Sequence, residues 1–149
     1  MIVLAQSSID PTPPPAYVED AMRAHATTAL RAGMASQTAA ARYDPDDIRA
    51  NTAIVMPALP AGWAVRDVQV YPSRYGPSVE IAAQAPQFGR VSLFAVRPGA
   101  FDVVAPALAR SGDITSAYFQ IGDVAYAVVA VGDEARLKAA AEALARSLY

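Results

Sequence analysis

The chain has 149 residues, 54% of them apolar and 17% charged, enough for one domain with a real core and too few for two comfortable ones. A net charge of −2, with the 12 Lys and Arg scattered and never in a run, excludes a nucleic-acid surface, which would show a basic stripe. The absence of cysteine removes disulfides, thiolate zinc sites and cysteine nucleophiles, and the single histidine, His25, leaves no His-pair metal site.

Residues Ile2 to Ala5 (IVLA) are apolar and give way abruptly to QSSIDPTPPP. A membrane span needs roughly 20 apolar residues, and a signal peptide needs a basic region ahead of a longer apolar one. Two readings stay open here: a loose terminus, or the last turn of a membrane helix. Under the second, Pro11, Pro13, Pro14 and Pro15 make a stiff, extended spacer. Tyr17 to about Ala32 reads as the first helix, with Glu19 and Asp20 in its first turn, Arg31 in its last and Gly33 just beyond. Val18, Met22, Ala26 and Leu30 fall on one stripe and are its expected buried face.

SQTAAA has no periodicity and reads as a loop. In Asp44-Pro45-Asp46-Asp47, Asp44 suits an N-cap, Pro45 the first helical position, and the next two acids the positive end of the helix dipole. A short helix from Pro45 to about Ile54 should follow, ended by Pro57 and Pro60.

From Trp63 the apolar period becomes two. Trp63 to Tyr71 is a strand whose phase slips between Val65 and Val68, so a bulge is expected near Arg66 and Asp67. YPSRYGP reads as a turn. Val79, Ile81, Ala83 and Ala85 alternate with Ser78, Glu80 and Gln84, the pattern of a half-buried strand with its polar side in water. Val91–Arg97 is apolar on both faces apart from Ser92. Ala100 to Gly112 is ambiguous, either a short edge strand at FDVV or an excursion. Ser116–Ile121 and Val124–Val131 are two strands joined at Gly122-Asp123, a tight hairpin turn. Asp133 caps a last helix with Leu137, Ala141, Leu144 and Leu148 on one face, and Glu142 placed to pair with Arg146. Short connections make neighbours antiparallel. The expected fold is α+β: an antiparallel sheet of about five strands, two N-terminal helices, and a C-terminal helix packed on the sheet.

None of the common catalytic motifs is present, neither G-x-S-x-G, P-loop, H-E-x-x-H nor G-x-G-x-x-G. Asp44, Asp46 and Asp47 do not continue as an EF-hand, because Arg49 and Val55 stand where glycine and glutamate belong. Helix capping accounts for all three. No enzyme activity, metal or cofactor is expected. Glu80 and Glu134 read as ordinary solvated acids. His25 stands beside the apolar stripe; its ordinary reading is a hydrogen-bonded histidine at the helix–sheet boundary, and a pH-sensing role is the sharper one. Tyr71, Arg74 and Tyr75, with Arg66 and Arg97, are the residue types of a recognition surface, although exposed tyrosines often only cover sheet edges.

Three stretches carry a resemblance: Tyr17-Val18-Glu19-Asp20-Ala21-Met22-Arg23-Ala24-His25, Leu93-Phe94-Ala95-Val96-Arg97-Pro98, and Ser116 to Val129 with its aromatic pair, Gly-centred turn and Ala-Tyr-Ala strand. In order, they resemble the periplasmic C-terminal domain of a family of bacterial transmembrane anti-sigma factors, whose "V-D-A-x-x-A-H" helix follows the membrane span. The chain departs from that pattern in helix two, where a Trp-Leu pair is replaced by Arg49-Ala50-Asn51-Thr52.

The resemblance implies that residues 1–15 are a membrane-proximal stalk and residues 16–149 a single periplasmic α+β domain. The membrane attachment would run through a preceding helix, and a preceding cytoplasmic part would bind the extracytoplasmic-function sigma factor. This domain would meet other envelope proteins or a regulatory protease, with the accessibility of the stalk at Gln6–Pro15 gating proteolysis. The alternative from another class is a periplasmic binding module for a small apolar ligand or lipid; an enclosed pocket would favour it, a close-packed core the sensor.

Overall fold

The computed structural model describes residues 13–149. The elements in order are α1 (Ala16–Ala32), α2 (Pro45–Thr52), β1 (Ala64–Ser73), β2 (Gly76–Ala85), β3 (Gly89–Val96), β4 (Asp102–Ser111), β5 (Ile114–Gly122), β6 (Val124–Val131) and α3 (Glu134–Arg146). The strands make one antiparallel sheet in the order β1-β2-β3-β6-β5-β4, two three-stranded meanders joined through β3 and β6. The α+β class is as expected, with six strands in place of about five. Of the expected stalk, only Pro13, Pro14 and Pro15 fall within the described residues; IVLA and the rest lie outside them.

The additional strand is β4, which occupies all of Asp102–Ser111 rather than FDVV alone. It is an edge strand, so neither face has to alternate cleanly. Pro106 sits in the register break between Val104 and Ala107, where its missing N–H interrupts no ladder. The bulge expected in β1 falls between Val65 and Asp67. YPSRYGP is a turn only at Arg74-Tyr75, because Tyr71–Ser73 and Gly76–Pro77 pair with each other as strand. At the β5–β6 hairpin Gly122 takes φ 69, the left-handed geometry that two-residue hairpin loops demand.

Both faces of the sheet are covered. On one, α3 packs over β4, β5 and β6, and Leu137, Ala141 and Leu144 meet Val79, Ile81, Leu93, Phe119 and Tyr126. Asp133 caps α3 by accepting from the N–H groups of Ala135 and Arg136. The ion pair on this helix joins Glu134 to Arg110 at 3.6 Å rather than Glu142 to Arg146. α2 ends at Thr52, earlier than expected, with Ala53 at φ 60 closing it. The chain from Ile54 to Trp63 then runs along the same core, and Tyr126 Oη donates to the Val55 carbonyl at 2.5 Å.

α1 covers the other face. Its buried residues are Tyr17, Val18, Ala21, Ala24, His25 and Thr28, so the expected stripe is corrected: Ala26 is exposed and Leu30 is 68% exposed. The helix presents its small side chains to the sheet because they allow close approach over Phe94, Val96, Ala127 and Val129. Chasing the largest apolar residues picked out the wrong face. β2 is corrected in the same way. It is buried on both sides, and Glu80, expected in water, is 1% exposed.

Candidate functional site

Bulging at Arg66 has a consequence for the whole α1 face. It resets the phase of β1 so that Asp67, Gln69 and Tyr71 lie opposite Ala82, Glu80 and Ser78. Those β2 residues face away from Val79, Ile81 and Ala83, which belong to the α3-side core. With Ser92 of β3 they give one end of this face a polar floor. α1 therefore rests on two different surfaces. Its N-terminal half sits on apolar side chains, with the Tyr17 ring edge-on to Tyr118 at 6.2 Å. Its C-terminal half, carrying His25, Thr28 and Arg31, sits on polar ones.

The polar half is tightly connected. His25 Nδ1 lies 2.6 Å from Ser92 Oγ, and the Ser92 hydroxyl in turn favours the ionised form of Glu80. Thr28 Oγ1 donates to Glu80 Oε1 and lies 2.8 Å from the Tyr71 hydroxyl. Arg31 forms a 2.8 Å ion pair with Asp67. Asp67 also accepts from the Ala40 N–H at 2.9 Å and from Gln69 at 2.8 Å. The Val68 N–H donates to the Ala40 carbonyl at 2.7 Å, which ties the loop after α1 to β1. Such a network holds only while every member is present, since a buried polar group left alone costs more than its bond contributed.

Burial governs the ionisation of these groups. It raises Glu80 to about 7, against the hydrogen bonds from Thr28 and Ser92 and the nearby Arg90 charge, all of which favour the carboxylate. Burial lowers His25, and Arg90 adds to that effect, so its neutral form is favoured. For Asp67 burial works against ionisation, but the donors from Ala40, Gln69 and Arg31 outweigh it and hold the carboxyl below its ordinary value. Glu80 Oε2 is buried without a partner among the described residues.

This is not the order of a nucleophilic triad. There the histidine stands between serine and acid, whereas His25 has Ser92 as its hydrogen-bond partner and no acid bonded to its other side among the described residues. Ser92 is also 0% exposed. Among the described residues no group of three or more His, Asp or Glu could hold a metal ion. No helix among them is long and apolar enough to cross a membrane.

The five residues read as a recognition surface are dispersed. Arg74, at the β1–β2 turn, reaches α1 and bonds Asp20 at 3.1 Å and Glu19 at 3.3 Å. Tyr71 is half-buried and committed to Thr28, while Tyr75 is exposed at the same turn. Arg66 is exposed at the far end of β1, beside a cleft at the end of α1. Arg97 follows β3 and lines a groove with Val55 and Tyr126, on the α3 side of the sheet. Two of the five thus fasten α1 to the sheet. His25 occupies the helix–sheet boundary with a hydrogen-bond partner, the ordinary of its two readings.

Glu80, Thr28, Ser92 and Arg90 were not legible as a site. The available signal was Ser92 on a strand apolar on both sides, which implies that its neighbour β2 is covered on both sides as well. The cleft over this cluster has a volume of about 230 Å³, with the polar side chains of Thr28, Arg31, Arg66, Asp67 and Arg90 set beside alanines. No family model, curated protein or solved structure matches the chain.

Proposed function

We propose that this chain is the extracytoplasmic regulatory domain of a membrane-anchored anti-sigma factor, which controls an extracytoplasmic-function sigma factor through envelope signals or regulated proteolysis. The observation that carries the reading is the way α1 is fastened. The helix starts at Ala16, directly after Pro15, and its C-terminal half is held by buried polar contacts rather than by apolar burial alone. Apolar burial falls away gradually as surfaces part. A connected set of hydrogen bonds and ion pairs gives way as a unit, as an element with a docked and an undocked state requires. Whatever joins the chain at its N-terminus would receive that change first.

The resemblance adds support at the level of single residues. Of Asp20-Ala21-Met22-Arg23-Ala24-His25, the members Ala21, Ala24 and His25 are buried against the sheet, and Asp20 takes the Arg74 ion pair. The motif spacing is the spacing of a docking face. Burial of Ser92 and Glu80 away from any substrate favours a regulatory over a catalytic role.

The test is a promoter reporter for the sigma factor in cells carrying the complete reading frame, with Thr28→Val and Arg74→Ala introduced separately and together. Expected is unstressed reporter activity above wild type, with faster proteolysis near the stalk. Wild-type reporter activity and wild-type cleavage in the double variant, at equal protein level, would reject the reading.

A further inference from the structure

We infer that the cleft at the C-terminal end of α1 is a binding site for a small carboxylate anion with a short aliphatic tail. The cleft holds about 230 Å³ between the end of α1, the bulge of β1 and strands β2 and β3, with Thr28, Arg31, Arg66, Asp67, Gln84 and Arg90 on its walls. Three of these are arginines and Asp67 is the one carboxylate in the lining, with the buried Glu80 close enough to feel the Arg90 charge. Asp67 is already satisfied by Arg31 at 2.8 Å, by the Ala40 N–H and by Gln69. Arg66 and Arg90 form no ion pair among the described residues, and Arg90 Nε is buried with no hydrogen-bond partner there.

A buried guanidinium N–H without an acceptor is costly, because desolvation has been incurred and nothing returned. A planar, forked donor is met best by a carboxylate, which can accept two parallel N–H bonds. The remaining wall explains the tail. Ala32, Ala39 and Ala82 line it with methyl groups, and Gln37 is the one further polar side chain there. The third and fourth oxygens of a phosphate would find little there, and the Asp67 carboxylate opposes a dianion. Butyrate is a carboxylate with a short tail, small enough to enter a cleft of about 230 Å³.

The position of the cleft gives the ligand a mechanical effect. Thr28 and Arg31 belong to α1, while Ala82, Gln84 and Arg90 belong to the sheet, so an occupant bridges the two and holds the helix down. This assignment concerns binding and stands apart from the regulatory role; a chain that bound the anion and regulated nothing would leave it intact.

The experiment is titration calorimetry of the full 149-residue chain with sodium butyrate, sodium phosphate and sodium chloride at matched ionic strength, together with thermal unfolding in each salt. Expected are saturable one-to-one binding of butyrate, weaker or absent phosphate binding, and a rise in Tm with butyrate over chloride. Arg66→Gln and Arg90→Met should each weaken butyrate by about tenfold, the loss of one charge-assisted bond. Arg66 is exposed, so its variant keeps the fold and decides the matter even where the Arg90 variant does not. Butyrate indistinguishable from chloride overturns the site. Phosphate binding tighter than butyrate overturns the carboxylate assignment, and an Arg66→Gln chain with unchanged butyrate affinity overturns the location.

Discussion

Replacing Glu80 with glutamine removes a buried ionisable group and keeps an oxygen to accept from Thr28. In the wild type, burial moves the carboxyl from an ordinary 4.5 to about 7. The folded state therefore binds this proton more tightly than the unfolded chain does. Stability from that proton is complete below 4.5 and is lost as pH rises through about 7. At ~1.4 kcal/mol for each tenfold in proton affinity, the gap amounts to about 3 kcal/mol. Glu80→Gln has no such titration. The two proteins should have similar stability near pH 4.5, and the variant should lead by about 3 kcal/mol near pH 8. Urea unfolding followed by far-UV circular dichroism, at a series of pH values and constant ionic strength, reads the difference directly. Subtracting one profile from the other cancels His25 and the remaining carboxyls to first order, since both chains carry them. The charges that act on Glu80 are Arg90 from β3 and Asp67 from β1, and both are retained in the variant. A difference that stays flat across the range would refute the reasoning, as would a wild type that gains on the variant as pH rises.

His25 runs in the opposite sense: its folded value lies below 6.5, so the stability it contributes is present above that pH and is lost as pH falls. His25→Gln should therefore lose less stability than wild type between about pH 7 and about pH 5, and parallel urea midpoints would show that His25 does not sense pH. Asp133→Ala leaves the N–H groups of Ala135 and Arg136 without their acceptor and should cost about 1 kcal/mol in the same assay. Ala53→Gly relieves a non-glycine residue at φ 60 and should stabilise by roughly 0.5 kcal/mol after the added freedom of the unfolded chain is subtracted; a loss of stability would mean that the alanine methyl packs usefully there.

Helix caps, the β1 bulge and the last hairpin were legible along the chain, whereas the end of α2 and the strand β4 were not. Asp44-Pro45 and Asp133 announce helix starts because capping is settled within four residues. The slip between Val65 and Val68 locates the β1 bulge, and Gly122-Asp123 the last hairpin, for the same reason: each is a matter of adjacent residues. Leu137, Ala141 and Leu144 named the face of α3 because a helix beside an apolar surface buries its largest apolar residues. Those devices determine the class of fold and the order of its elements.

Which surfaces meet was decided by tertiary structure alone. α1 buries His25 and Thr28 and leaves Leu30 in water, a choice that depends on the polar floor supplied by β1, β2 and β3 from more than 40 residues away. Nothing in Ser78-Val79-Glu80-Ile81 distinguishes a strand with one wet face from a strand covered on both. The alternation is identical, and only the arrival of α1 on the second face makes Glu80 a buried acid. The sequence by itself set the period of each element. The sheet order and the helix laid across it set which side of each period is inside, because burial is a property of neighbours and not of the residue.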